Sequence, residues 1–311
     1  MRTDPAGRLG VVSVPERGSH RVDAGFDAGA LLRFFADEGR DLPWRGAGAT
    51  PWRVLVSEVM LQQTPVRRVL PVFDEWLGRW PTPAALATEP SGEAVRAWGR
   101  LGYPRRALRL WAAAGAIDRD HGGAVPDDLE ALLALPGVGS YTARAVLAFG
   151  FGRRAPVVDT NVRRVLHRCV LGDDDAGPAT TTDLRLMDEL LPADPGTASR
   201  VCAATMELGA LVCTATNPGC VQCPIAAGCR WYRAGRPASA VRRKTQAWHG
   251  TDRQLRGRIL ALLRSTREAL TALELQVADA DSAQWARCVD SLLADGLVCR
   301  LSDGRFTLPS D

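Results

Sequence analysis

Two carboxylates stand out for what they could do together. Glu58 sits in the run Ser57-Glu58-Val59-Met60-Leu61-Gln62-Gln63-Thr64, on a stretch of helical spacing whose neighbours are strongly apolar. Removal from water penalises the ionised form, so a carboxyl there stays protonated and can deliver a proton. Asp159 precedes Asn161 at the start of another helical pattern, where backbone N–H donors favour the anion. A proton for a leaving group and a negative charge beside an oxocarbenium-like sugar are what cleavage of a glycosidic bond requires. On the residues alone, an exposed glutamate and a helix-capping aspartate remain open.

Two further constellations bear on chemistry. Cys213, Cys220, Cys223 and Cys229, four of eight cysteines, follow the spacing C-x6-C-x2-C-x5-C. Four thiolates in so short a loop can enclose a metal centre. In a cytosolic chain a disulfide framework is disfavoured, which leaves a four-thiolate zinc site or an iron–sulfur cluster, and the spacing does not choose strongly between them. Cys169, Cys202, Cys288 and Cys299 lie in apolar patterns and read as packed thiols. The turn Leu135-Pro136-Gly137-Val138-Gly139 precedes a helix that starts near Tyr141. Its glycines let N–H groups approach a ligand, Ser140 can cap the helix, and such a helix start is a ready anion site.

The elements that must position these residues are helical. The spacing predicts helices over 26–36, 51–63, 65–76, 83–87, 92–98, 105–121, 127–134, 141–150, from near 160, over 183–191 and over 198–211, with Pro and Gly between them. Strand signals are nearly absent before residue 230, so the body is read as all-α. Residues 1–24 read as a flexible tail and 233–251 as a linker. The pattern shifts over residues 252–311, where helices at 253–264, 271–278 and 283–295 are followed by a hairpin turned at Asp303-Gly304. Together they suggest a small winged-helix-like module.

The chain has 311 residues, enough for two or three domains, and a formal charge of +4. Arginine is clustered at Arg105-Arg106-Arg109, Arg153-Arg154, Arg163-Arg164-Arg168 and Arg242-Arg243-Lys244; guanidinium forks suit phosphates, although each cluster taken alone reads as a solvated face. A DNA phosphate is therefore the expected anion at the turn, held without reading sequence. No apolar run reaches the length of a membrane span and the N-terminus has no secretory h-region, so the chain is expected in the cytoplasm.

Leu135 to Gly139, with Asp159 eighteen residues after Tyr141, resembles the helix-hairpin-helix and following aspartate of the DNA glycosylase superfamily that includes endonuclease III. Ser57 to Thr64 resembles the Ser-Glu-x-Met-Leu-Gln-Gln-Thr signature of adenine DNA glycosylases of the MutY type. The likeness covers roughly residues 26–232 and implies a glycosylase body built from a six-helix subdomain at about 51–156 and a cluster subdomain from about 25–50 and 157–232. It implies that Glu58 protonates adenine and then activates water, that Asp159 steadies the sugar cation, and that Asn161 positions Asp159 and water. Tyr141 stands where strand-cutting relatives carry a lysine nucleophile. The only lysine among 39 basic residues is Lys244, in the expected linker, so no buried amine is available for a Schiff base and hydrolysis alone is expected.

The same resemblance implies a [4Fe-4S] cluster on Cys213, Cys220, Cys223 and Cys229, an adenine pocket lined by Arg40, Leu42, Trp44 and Glu207, and DNA contacts from Gln63, Thr64 and Tyr103 as well as Leu135, Gly137, Val138 and Gly139. Tyr103 would wedge beside the opposite base once adenine is flipped out. Two local departures are Asp-Thr-Asn-Val where many of these enzymes have Asp-Gly-Asn-Val, and Pro104 where a second tyrosine is usual. The resemblance stops before the Nudix-like domain with which most such enzymes read 8-oxoguanine; His249 is a weak substitute for that domain's Phe-Ser-His loop. The expected activity is a monofunctional adenine DNA glycosylase, a monomer acting on double-stranded DNA with adenine opposite 8-oxoguanine or guanine. The rivals are a G:T mismatch thymine glycosylase and a non-catalytic iron–sulfur DNA-binding regulator.

Overall fold

The computed structural model describes residues 25–46, 48–174, 179–238, 250–276 and 281–310. The expected tail, most of the expected linker with Arg242, Arg243 and Lys244, and His249 lie outside the described residues.

The chain begins with α1 (Ala28–Glu38), capped by the Asp27 carboxylate. After the loop through Arg40 to Arg45 comes α2 (Pro51–Leu61), started by a Thr50 cap and Pro51 at its first position. α2 is buried from Val54 to Met60, and a helix apolar on every side belongs in a core. It lies against α3 (Val66–Arg79), α6 (Arg105–His121) and α8 (Ser140–Ala145). α4 (Pro83–Ala87) and α5 (Ser91–Ala97) cover the far side of α6, and α7 (Leu129–Ala134) leads into the turn before α8. Trp76 binds this half together, edge-on to Trp80 at 4.6 Å and to Trp98 at 5.6 Å.

α8 runs on into a wider π-helical turn, Val146–Gly150, and α9 (Thr160–Leu166) does the same over His167–Leu171. Neither widening is expected from the apolar spacing, which a single extra residue per turn barely disturbs. The first brings Gly150 so close to α2 that a Cβ there would lie 2.9 Å from the Pro51 Cα. α10 (Thr181–Leu190) opens with a reciprocal Thr180–Asp183 capping box. α11 (Pro195–Leu211) packs against both α9 and α1, joining the two ends of the body. α12 (Arg230–Arg233) follows the cysteine loop.

C-terminal to residue 250, α13 (Asp252–Ser265) and α14 (Ser282–Ala294) pack together. β1 (Cys299–Arg300) and β2 (Phe306–Thr307) form an antiparallel hairpin, and Leu270 bridges to Phe306 on its other side. The helix expected over 271–278 is reduced, among the described residues, to turns at 272–275 headed by the Thr271–Glu274 capping pair. No helix among the described residues is long and apolar enough to cross a membrane.

Candidate active site

α2, α8 and α9 bring Glu58, Tyr141 and Asp159 to one place. Glu58 is 5% exposed. Burial pushes its carboxyl up to about 7, against a hydrogen bond from the Tyr141 hydroxyl; the Asp159 charge works with burial and the Arg45 guanidinium against it. Tyr141 is driven well above the usual phenol range, by burial and then by the two carboxylates, so it keeps its proton and acts as a donor. Asp159 is the N-cap of α9: its Oδ1 accepts from the Val162 N–H at 2.7 Å and its Oδ2 from Asn161 Nδ2 at 2.8 Å. The sequence places those donors correctly, but burial outweighs them, and the Asp159 carboxyl is raised rather than held low.

Asn161 is itself fixed. Arg164 Nη2 donates to its Oδ1 at 2.8 Å and to the Gly209 carbonyl at 2.6 Å, while Arg164 Nε donates to the Cys213 carbonyl at 2.6 Å. α11 approaches so closely here that a Cβ on Gly209 would lie 2.7 Å from the Asn161 Cβ.

Glu207, fully buried on α11, accepts from Arg40 Nε at 2.6 Å and from Arg45 Nη2 at 3.0 Å. Burial alone would raise its carboxyl, and the two guanidiniums hold it below the usual range. The loop carrying Leu42 and Trp44 is thereby clamped onto α11. Both side chains are buried, and Trp44 meets Phe73 edge-on at 5.1 Å. Arg45 is a residue that the sequence motifs do not single out. The signal was present: a glutamate inside the apolar α11 pattern demands a cationic partner.

A second group of residues surrounds the end of α2. Gln63 is exposed and takes a left-handed φ of 54°; Tyr103, 40% exposed, has φ 46°. Such backbone is costly for residues with a Cβ and recurs at functional positions. Thr64, by contrast, is buried, with its hydroxyl donating to the Leu101 carbonyl at 3.3 Å. Arg106 ties these segments together. It donates to the carbonyls of Val59, Met60, Gln62 and Gly102 and to the Thr64 hydroxyl, and burial lowers its guanidinium to about 10.

In the turn, Leu135 and Val138 are buried and anchor the loop, while Gly137 adopts φ 77° against the Arg109 side chain. The cap of α8 is Gly139 and not the expected Ser140, and no side chain caps this helix start. Backbone N–H groups there can face a phosphate.

Several arginines of the clusters, which taken alone read as solvated faces, are internal girders instead. Arg106 is one, Arg163 pairs with Asp183 at 3.2 Å, and Arg168 lies over Trp231 at 4.4 Å while donating to Asp174. Arg168 also donates to Cys213 Sγ at 3.5 Å. Cys213, Cys220, Cys223 and Cys229 border one small cavity together with Arg168 and Trp231. Among the described residues no group of His, Cys, Asp or Glu side chains converges on a single point as ligands of one metal ion would.

Residues 56–188 match the family of HhH-GPD superfamily base excision DNA repair proteins. The chain is 53% identical over 284 residues to the adenine DNA glycosylase of Mycobacterium tuberculosis, covering 90% of this chain and 93% of that protein. It is 51% identical over 282 residues to the adenine DNA glycosylase of Mycolicibacterium smegmatis, with 90% and 95% covered. The solved structure of a thermostable thymine-DNA glycosylase matches with a TM-score of 0.61 at 28% identity, over 67% of this chain and 95% of that one. With so nearly complete a match to two relatives and a helical body that carries the hairpin and the paired carboxylates, the chain belongs to the MutY-type adenine DNA glycosylase family.

Proposed function

We propose that this chain excises adenine mispaired with 8-oxoguanine or guanine in double-stranded DNA, by hydrolysis and without cutting the strand, acting as a monomer in a bacterial cytoplasm. The observation that carries the reading is Glu58, buried and raised to about 7 beside Tyr141 and Asp159. At neutral pH such a carboxyl is available in both protonation states, as a group that first gives and then takes a proton must be. Glu58 protonates the flipped adenine, and the glycosidic bond breaks with its electron pair leaving on the base. Asp159, as the anion, steadies the sugar cation. Glu58, now ionised and held by the Tyr141 hydroxyl, takes a proton from the water that adds to the sugar, and Asn161 keeps Asp159 and that water in place.

Arg40, Leu42, Trp44 and Glu207 shape the base pocket in this reading, with Arg45 completing the clamp. Gln63 and Tyr103 meet the duplex, Thr64 supports them from beneath, and the turn from Leu135 to Gly139 grips the backbone. The four cysteines are assigned to a [4Fe-4S] cluster. Four thiols bordering one small cavity support this reading, and the Arg168 donor is suited to a thiolate sulfur. Such a cluster, when bound, would order the loop beside Arg230. Residues 252–311 are assigned to a winged-helix-like module, joined to the body through the linker at 233–251.

The test is a labelled duplex with adenine opposite 8-oxoguanine. Wild type should release adenine and leave an abasic site that breaks only on added alkali, and Glu58→Gln should release none. Full activity in Glu58→Gln, or strand scission without alkali, refutes the reading. A second reading, thymine excision, is favoured by the match to a thymine-DNA glycosylase. A G:T duplex run in parallel decides between them.

A further inference from the structure

The C-terminal unit is fastened to the body mainly through backbone carbonyls. The Gly92 N–H donates to the Pro309 carbonyl at 2.9 Å. Arg96 of α5 donates to the carbonyls of Leu263, Arg264 and Thr266 at 3.2, 2.6 and 2.6 Å, where α13 ends. Arg264 returns the contact, donating to the carbonyls of Val95 at 2.9 Å and Gly99 at 2.5 Å. From the other side, Arg105 of α6 and Arg256 of α13 share the Asp295 carboxylate at 3.3 and 2.5 Å. Hydrogen bonds that pass in both directions leave little freedom to slide, so the start of α13 has a fixed place beside the loop that ends at Tyr103.

There the Arg253 guanidinium lies 4.4 Å from the centroid of the Tyr103 ring. Arg106 stands at 5.6 Å from the same ring, as part of the body. Tyr103 is thus an exposed aromatic in a left-handed conformation, with one cation from its own domain and one from the C-terminal unit. A planar ring on a surface that receives nucleic acid is a stacking platform, and its use depends on the angle at which it is held. Gly102, at φ 84°, lets the chain turn here, and its carbonyl accepts from Trp98 Nε1 at 3.0 Å and Arg106 Nη2 at 2.9 Å, so the body holds the loop backbone. The angle of the ring beyond that backbone is set by the groups packed on it.

We propose that Arg253 is a positioning residue through which the C-terminal unit sets the angle of Tyr103, and so sharpens discrimination between mispaired and matched duplexes. The C-terminal unit is in this way part of the mismatch-reading surface. The inference rests on the proposed reading that this face receives DNA. It does not depend on which base is excised.

The experiment is a double-substitution cycle in the full chain, with Arg253→Ala, Tyr103→Ala and the two combined. Affinity is measured for a duplex with adenine opposite 8-oxoguanine and for the matched A:T duplex, at several salt concentrations. A cation over an exposed ring contributes enough for about a 2- to 5-fold loss of discrimination in Arg253→Ala. No further loss is expected when Arg253→Ala is added to Tyr103→Ala, because the pathway through the ring is already gone. Arg253→Lys keeps a cation over the ring and should retain most of the discrimination. Two results overturn the proposal. One is additive losses in the double variant. The other is equal weakening on both duplexes with a salt slope reduced by about one phosphate contact, roughly 0.9, which marks a plain backbone contact. Adenine release by wild type is scored separately: if it is absent while the coupling persists, the chemical reading fails and this one stands.

Discussion

Glu58→Gln should do more than silence the enzyme; it should make the protein more stable, by a margin that grows as pH rises from about 4.5 to 7. The Glu58 carboxyl stands at about 7 in the folded protein against an ordinary 4.5. That difference corresponds to roughly 3 kcal/mol. Between those two values the folded state holds a proton that the unfolded chain has released, so stability contributed by this group is complete below about 4.5 and is lost as pH rises through 7. Glutamine mimics the protonated acid in size and can still accept from Tyr141, but it cannot ionise. The variant should therefore match wild type within about 1 kcal/mol at pH 5 and exceed it by up to ~3 kcal/mol at pH 8. For a chain of this size that amounts to a midpoint higher by on the order of 5 °C or more at pH 8. Asp159 is raised as well and bends the pH profile in the same direction, which is why the comparison is between variant and wild type at each pH. Thermal unfolding of both proteins from pH 5 to 8.5 is the assay. A gain of equal size at both ends of that range, or none at pH 8, would show that burial does not hold Glu58 in its protonated form.

Removing the Glu207 charge in Glu207→Gln leaves the partly exposed Arg40 and Arg45 without their shared carboxylate; a loss of about 1–3 kcal/mol is expected in denaturant unfolding, together with weaker adenine release. Gly209→Ala drives a methyl group into Asn161 and should lower single-turnover excision by roughly 10- to 100-fold, measured well below the melting midpoint, at a cost of about 1–3 kcal/mol in stability. Cys223→Ser removes one proposed cluster ligand and should lower bound iron and the broad visible absorption of the purified protein, with Cys202→Ser, away from the loop, leaving both unchanged.

Local grammar made the helices readable in advance. Residues 83–87 and 105–121 are found with the expected ends, the first because Thr82 and Pro83 start it, the second because Gly122 at φ 60° stops it. Glu58 in a buried apolar run was legible for the same reason, since spacing alone says that its helix has no wet face. What escaped depends on partners far along the chain. Arg106 meets Thr64 and Gln62 across 42 and 44 residues, and Arg164 meets Cys213 across 49, so a cluster of arginines looks the same in sequence whether it faces phosphate or the protein's own carbonyls. The balance at Asp159 was hidden for another reason: capping donors are written locally, whereas burial is decided by the packing of distant elements.

The Arg40–Glu207 pair closes a span of 167 residues, and this has a consequence for how the chain is made. α1 leaves the ribosome long before α11, against which it packs. At about 5–20 residues per second, the wait is roughly 8–30 s. Everything from α2 to α8 can collapse around its own tryptophans in that interval, while Leu31 and its neighbours stay without their final cover. The Arg40–Glu207 clamp can therefore form only after most of the glycosylase body exists, and a nascent chain stalled before Glu207 would present a folded middle with an apolar helix trailing from its front, a ready substrate for a holdase chaperone.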